Sequence, residues 1–206
     1  MAYIMAQASF PKAPAFILAS GSAARQTMLR QAGYHFAVQS AAIDETALIQ
    51  SNKDKNPEDI AGILATEKAK NVSKSFPDEI IVGCDQILFC NGRIFEKAAT
   101  RQEAREKLKI LSGQTHQLIS AVSFVRNSEI LAAIDNAAFL TMKSLSDNMI
   151  NTYLDSCGAT ATACVGAYAL EGLGIHLFEK IEGDYFTILG LPLLSFIKTL
   201  ESLTQE

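Results

Sequence analysis

With 206 residues, 49% of them hydrophobic, the chain has enough apolar material for a full core, which excludes wholesale disorder. Charged residues make up 19%, the formal net charge is −4 and the isoelectric point is near 5.4, which argues against non-specific nucleic-acid binding. Up to Lys109 there are 14 Lys and Arg against 12 Asp and Glu; beyond it there are 4 against 10, so a phosphate-bearing partner is expected to meet the first half.

The longest apolar runs, near Ile130–Ile134 and Val165–Leu170, fall far short of the roughly 18 residues a membrane span requires. Cys84, Cys90, Cys157 and Cys164 follow neither a zinc spacing nor a disulfide framework. Reduced thiols and a cytoplasmic location are the expectation. Lys12 ahead of Ala13–Ala19 imitates a secretory leader faintly, since Pro14 interrupts the stretch and one lysine is its whole basic region.

In chain order, residues 1–14 read as a loose arm and Ala15–Ala19 as a short apolar strand. Ser20-Gly21-Ser22 opens a helix to about Ala32, closed by Gly33; Tyr34–Val38 is a second strand, and Asp44-Glu45 fall in a polar loop. Asn56-Pro57 starts a helix to about Ser73, with Asn as cap and Pro at the first helical position. Glu79–Phe89 is strand-like and turns at Asn91-Gly92 into Arg93–Phe95. Thr100 and Glu103 form a capping box for a helix with the apolar stripe Ala104, Leu108 and Leu111. Gln117–Arg126 and Ile130–Met142 pair as strands, and Ser144–Ser156 is a helix. Tyr168–Leu170, Ile175–Glu179 and Tyr185–Leu189 read as strands, and Pro192 begins a terminal helix. Helices alternate with strands, and several strand pairs are tight hairpins. The fold class is therefore α/β with a mixed sheet, in one domain over 1–206.

Three features carry chemistry. Ser20-Gly21-Ser22-Ala23-Ala24-Arg25 stands between a strand and a helix, where small residues allow close approach and free N–H groups attract anions. Arg25, one turn in, could hold a phosphate bidentately; the alternative is an ordinary Ser-capped helix with a surface arginine. Asp85 lies within the near-continuous apolar run Ile80–Phe89, where a carboxylate requires a cation, hydrogen bonds or a metal. Either neighbouring amides satisfy it or it belongs to a site. Lys68 falls on the same helical face as Leu64, Ala65 and Ala69, and either snorkels past the core edge or points into a polar cleft.

Taken together, the blocks resemble the Maf family of nucleoside triphosphate pyrophosphatases, a family first connected with septum formation. The blocks are Leu18-Ala19-Ser20-Gly21-Ser22-Ala23-Ala24-Arg25, Ile43-Asp44-Glu45, Glu67-Lys68-Ala69, Gly83-Cys84-Asp85-Gln86, Glu96-Lys97 and Leu111-Ser112-Gly113-Gln114-Thr115-His116. They continue with Gly166-Ala167-Tyr168, Glu171-Gly172, Gly183-Asp184-Tyr185 and Gly190-Leu191-Pro192-Leu193. The likeness runs from about Phe16 to Leu200.

The resemblance implies an elongated mixed sheet flanked by helices, with two lobes and a nucleotide cleft between them, as in inosine triphosphatase-like folds. It implies hydrolysis of a nucleoside triphosphate to the monophosphate and pyrophosphate with Mg²⁺ or Mn²⁺, removing non-canonical or modified nucleotides. By position, Asp85 is the general base, Glu45 assists with metal and phosphate, and Lys68 and Lys97 serve the triphosphate. Ser20, Ser22 and Arg25 bind substrate, and Asp85 and Glu45 are the metal-facing carboxylates. A homodimer is allowed by the resemblance, with neither nucleic acid nor membrane as partner; the alternative is a nucleotide-binding regulator of cell division.

The chain departs from the family at Ala23, Ala24 and Ala98, which replace a Pro, the first Arg and a Pro. At the three base-discriminating positions the dTTP/UTP branch has Arg, Thr and Gln, and the 7-methyl-GTP branch Trp, Gln and Glu. Here they are Ala24, Gln86 and Glu171. Two of three match the second branch, so a guanine-type base is expected, with dTTP/UTP next. The chain contains no Trp to stack on a cationic base.

Overall fold

A computed structural model describes residues 13–203, so the expected N-terminal arm lies almost wholly outside the described residues. Strand β1 (Phe16–Ala19) leads into α1 (Ala23–Gln31), whose cap Ser22 accepts from the Arg25 amide. The short β2 (Ala37–Val38) is followed by α2 (Glu45–Ser51) and α3 (Pro57–Ser73). The cap of α3 is Asn56, with Pro57 at its first position, as the sequence indicated. The hairpin β3 (Ile80–Cys90) and β4 (Arg93–Phe95) turns at Asn91 and Gly92, both with positive φ, as a tight two-residue turn requires.

Next come α4 (Arg101–Leu111), β5 (Thr115–Arg126), β6 (Glu129–Met142), α5 (Asp147–Cys157) and α6 (Thr160–Ala163). A 3-10 turn (Leu173–Leu177), β7 (Phe178–Glu182), α7 (Tyr185–Ile188) and α8 (Leu193–Ser202) complete the described chain. Among the described residues no helix is long and apolar enough to cross a membrane.

The strands form one seven-stranded sheet in the order β2-β1-β3-β5-β6-β7, with β4 paired to β3. β1 runs parallel to β2 and β3, whereas β3–β5, β5–β6 and β6–β7 are antiparallel. The sheet is therefore mixed, as expected from the hairpins. Two apolar clusters flank it. One joins β1, α1, β5 and α8 through Phe16, Leu29, Phe124 and Phe196; the Phe196 ring meets Phe16 edge-on and Phe124 tilted. The other joins α4 and α5 to β5 and β6 through Leu108, Leu111, Leu118, Leu140 and Leu154. Each fully buried side chain of this size contributes about 1.5–3 kcal/mol.

Because β3 is central, its alternate residues face different layers. Gly83, Asp85 and Ile87 face α3; Gln86 faces Ser120 and the carbonyls of α7. Gly83 is required here: a Cβ on it would stand 2.0 Å from the Ala65 carbonyl oxygen and 2.9 Å from the Ala69 Cβ. The absent side chain lets α3 lie directly on the strand that carries Asp85.

Several sequence expectations are corrected. Asp44-Glu45 do not lie in a loop: Asp44 caps α2 by accepting from the Ala47 amide, and Glu45 is its first residue. Tyr185–Leu189 is helical rather than extended, because the Asp184 carboxylate accepts from the amide and hydroxyl of Thr187. Tyr168–Leu170 forms no strand, and the strand expected at Ile175–Glu179 starts only at Phe178, after the 3-10 turn.

Candidate active site

The β1–α1 connection, the start of α2, the middle of α3, the centre of β3 and the end of β4 surround one cleft of about 980 Å³. The segment from Ala163 to Glu171 and the residues Ile188–Gly190 close its remaining sides. Of the residues singled out in the sequence, Ser20, Ser22, Ala24, Arg25, Glu45, Lys68, Asp85, Gln86, Lys97 and Glu171 all line it. They come from segments up to about 150 positions apart, gathered by the sheet order.

Asp85 sits at the floor, 5% exposed. Lys68 Nζ donates to its Oδ1 at 2.6 Å and stands 2.9 Å from Glu45 Oε1. This settles the two readings of Lys68: the ammonium points into a polar cleft and joins two carboxylates. The geometry follows from the helix, since Ala65 and Ala69 press on Gly83 and bring Lys68 beside Asp85, two residues along the same face of β3. Removing Lys68 would leave the buried Asp85 carboxylate without its cation, whereas removing the Asp85 charge would leave the ammonium paired with Glu45. Glu45, half exposed, reaches the pair from the first turn of α2.

Arg25 is buried rather than on the surface, and its guanidinium is largely committed. Nε donates to the Gly190 carbonyl at 2.7 Å, and Nη1 donates to Ser20 Oγ and the Cys84 carbonyl, each at 3.0 Å. The bidentate grip expected of it is thereby narrowed to the N–H groups of Nη2. Arg25 fastens the β1–α1 turn, β3 and the loop at Gly190 to one another. Gly190 has φ +101, a backbone conformation that residues with a Cβ rarely adopt, and its own position lies within contact distance of the guanidinium.

Gln86 is similarly oriented. Its side-chain NH₂ donates to the carbonyls of Thr187 and Ile188, at 3.1 and 3.0 Å, and stands 3.1 Å from Ser120 Oγ. Two carbonyls require the amide nitrogen at that end, so Gln86 offers only its Oε1 acceptor to the cleft. Sequence reasoning did not single out Thr46 or Glu96, which also line the cleft and bond to each other, hydroxyl to carboxylate, at 2.9 Å. The only signal for Glu96 was its place beside Lys97.

His116 lies behind the Ala163–Glu171 segment. Its Nε2 is 2.5 Å from the Tyr168 hydroxyl, and burial pushes its pKa down to about 4. The unfolded chain then binds a proton near pH 6.5 that the folded chain refuses until about pH 4. Stability attributable to His116 is complete above about pH 6.5 and falls as pH drops towards 4, by about 3 kcal/mol in all. Urea denaturation of the wild type at pH 7 and pH 4.5 is expected to show that loss, and His116→Gln to reduce it; equal pH dependence in both proteins would refute the assignment.

The sequence pattern of the family described as Maf-like protein matches residues 15–203. The chain belongs to the Maf family. This Maf chain is 48% identical over 186 residues to a protein of Nitrobacter winogradskyi named nucleoside triphosphate pyrophosphatase, the alignment covering 90% of this chain and 92% of the relative. It is 44% identical over 191 residues to a protein of Bartonella quintana named 7-methyl-GTP pyrophosphatase, with 93% and 96% covered. A solved structure of a nucleoside-triphosphatase / dITP/XTP pyrophosphatase from Mycobacterium abscessus overlays with a TM-score of 0.41 at 14% identity, covering 93% of this Maf chain and 96% of that one. Both sequence relatives are named as enzymes, which favours the hydrolase reading of the Maf cleft over a regulator acting through partners.

Proposed function

We propose that the chain, acting as a single Maf domain, hydrolyses a nucleoside triphosphate to the monophosphate and pyrophosphate. The observation that carries this reading is Asp85, buried on a central strand yet facing a cleft lined by Ser20, Arg25, Lys68 and Lys97. The cleft volume of about 980 Å³ suits a ligand as large as a nucleotide, being at the top of the range of about 300–1,000 Å³ for small-molecule sites.

Asp85 accepts the proton of the attacking water, a general-base role that calls for a carboxylate held rigidly and apart from bulk solvent. Lys68 fixes that carboxylate and, with Lys97, Ser20 and the free Nη2 of Arg25, offsets the charge of the triphosphate. The amide-rich turn at Ser20–Ser22 opens α1 and offers N–H donors to a phosphate.

A divalent cation fits the donors present. Asp85 and Glu45 converge on one point, since a single ammonium reaches both. Among the described residues no group of three or more His, Cys, Asp and Glu could hold a metal by itself. Two carboxylates suit Mg²⁺ or Mn²⁺, hard ions that complete their shells with phosphate oxygens and water. When bound, such an ion supplies charge stabilisation to the phosphoryl oxygens.

The base is guanine-type in this reading. Gln86 Oε1 and the Glu171 carboxylate are both acceptors, and guanine presents N1–H and a 2-amino group as donors, whereas uracil and thymine present a single N3–H. The name of the Bartonella relative points the same way.

Incubating purified protein and Mg²⁺ with GTP, 7-methyl-GTP, dTTP, UTP, CTP and ATP tests both levels. Pyrophosphate is expected as the product, with the guanine nucleotides turned over fastest. Orthophosphate alone would overturn the reaction, and a preference for dTTP or UTP would overturn the base assignment.

A further inference from the structure

We infer that Lys107 is a positioning residue that ties together two walls of the nucleotide cleft, the segment carrying Lys97 and the segment leading to Glu171. The inference rests on the reading of this cleft as the nucleotide site.

Lys107 lies on α4 three residues after Ala104, on the stripe Ala104, Lys107, Leu108, Leu111, whose other members are apolar. Its neighbours on that stripe are fully buried, and Lys107 itself is 8% exposed. Its Nζ donates to the Glu96 carbonyl and, at 2.9 Å, to the Val165 carbonyl. Glu96 immediately precedes Lys97, and Val165 opens the irregular stretch that runs through Gly166 and Tyr168 to Glu171. One ammonium on a rigid helix thus holds both walls from behind.

Neither wall has a secondary-structure ladder to keep it in place. Residues 96–98 follow the end of β4, and residues 164–171 are in neither helix nor strand. Phe95 and Ala98 anchor the ends of the first wall in the core, but between them Glu96 and Lys97 border an open recess of about 370 Å³ shared with Arg93, Glu103, Glu106 and Lys107. Burial pushes the Lys107 ammonium down to about 8, with Glu103 and Glu96 favouring its charge and Arg93 opposing it. The stripe thus carries a group disfavoured by its surroundings, and the two carbonyls are what it serves. Methionine would fill the same length without that penalty and without the two bonds.

Lys107→Met separates bridging from folding. Hydrogen exchange is expected to quicken in both segments, 95–98 and 163–171, while β3 and β5 keep their wild-type protection. By calorimetry GTP is expected to bind at least about fivefold more weakly, with kcat on GTP changed less than about twofold. Lys107→Arg, which keeps charge-assisted donors, is expected to recover the affinity. Wild-type exchange in either segment of the folded Met variant, or faster exchange in both with unchanged GTP affinity, would overturn the inference. Absence of pyrophosphate from the wild type would instead refute the reaction, leaving the exchange result to decide the bridge.

Discussion

Replacing Asp85 by Asn is expected to lower pyrophosphate release by about 10²–10⁴-fold, the range over which a positioned general base acts. Asn is nearly isosteric and still offers an oxygen to Lys68 Nζ, now 2.6 Å from Asp85 Oδ1, so nucleotide binding and overall folding should persist. Loss confined to kcat is the signature of a group needed only in the transition state. Activity within tenfold of wild type, in a preparation with wild-type circular dichroism, would remove Asp85 from the chemistry. A collapse of binding equal to the collapse of rate would instead make it a structural partner of Lys68.

Gly83→Ala is expected to produce the largest loss of stability among single-methyl changes in this chain. Elsewhere in a strand, alanine for glycine is neutral or stabilises by about 0.4–1 kcal/mol through the unfolded state. Here the added Cβ would come within 2.0 Å of the Ala65 carbonyl oxygen and 2.8 Å of the Ala69 amide nitrogen, both backbone atoms of α3. No side-chain rotation relieves such a contact, so the helix must move off the sheet, at about 3–5 kcal/mol. The same displacement withdraws Lys68 from Asp85, because Lys68 lies between the two alanines on that helix. Urea midpoints and turnover should therefore fall together. An unchanged midpoint would show that α3 sits less tightly on β3 than the structure has it.

How far the sequence predicts this arrangement depends on the range of the interactions that set it. The Asn56-Pro57 start of α3, the Asn91-Gly92 turn and the Thr100 cap are local chemistry, and all three stand where the sequence placed them. Asp85 was conspicuous because a charge interrupts an apolar strand, and Lys68 because a lysine interrupts an apolar face; the fold joins the two anomalies. What escaped was decided by distant or weak signals. None of the α2 residues is buried, so its sequence has no stripe to reveal a helix. The run Tyr185-Phe186-Thr187-Ile188 has strand-forming side chains, and only the Asp184 cap tips it to a helix. Arg25 is bonded to a carbonyl 165 residues away, which no local pattern announces. Lys107 was passed over, although a lysine three residues after Ala104 on a helical stripe was a local signal that could have found it.

That long reach of Arg25 bears on how the site comes into being during synthesis. Glu45, Lys68, Asp85 and Lys97 all leave the ribosome in the first half of the chain, with the strand and helices that carry them. The carbonyls that fix Arg25 and Gln86 belong to Thr187, Ile188 and Gly190, and emerge long after the residues they hold. A nascent chain halted before them holds the acid and base groups but leaves Arg25 without one of its three acceptors and Gln86 without its two carbonyls. The cleft is therefore completed only when α7 and the turn before α8 arrive. An incomplete translation product would carry the reactive carboxylate without the geometry to use it.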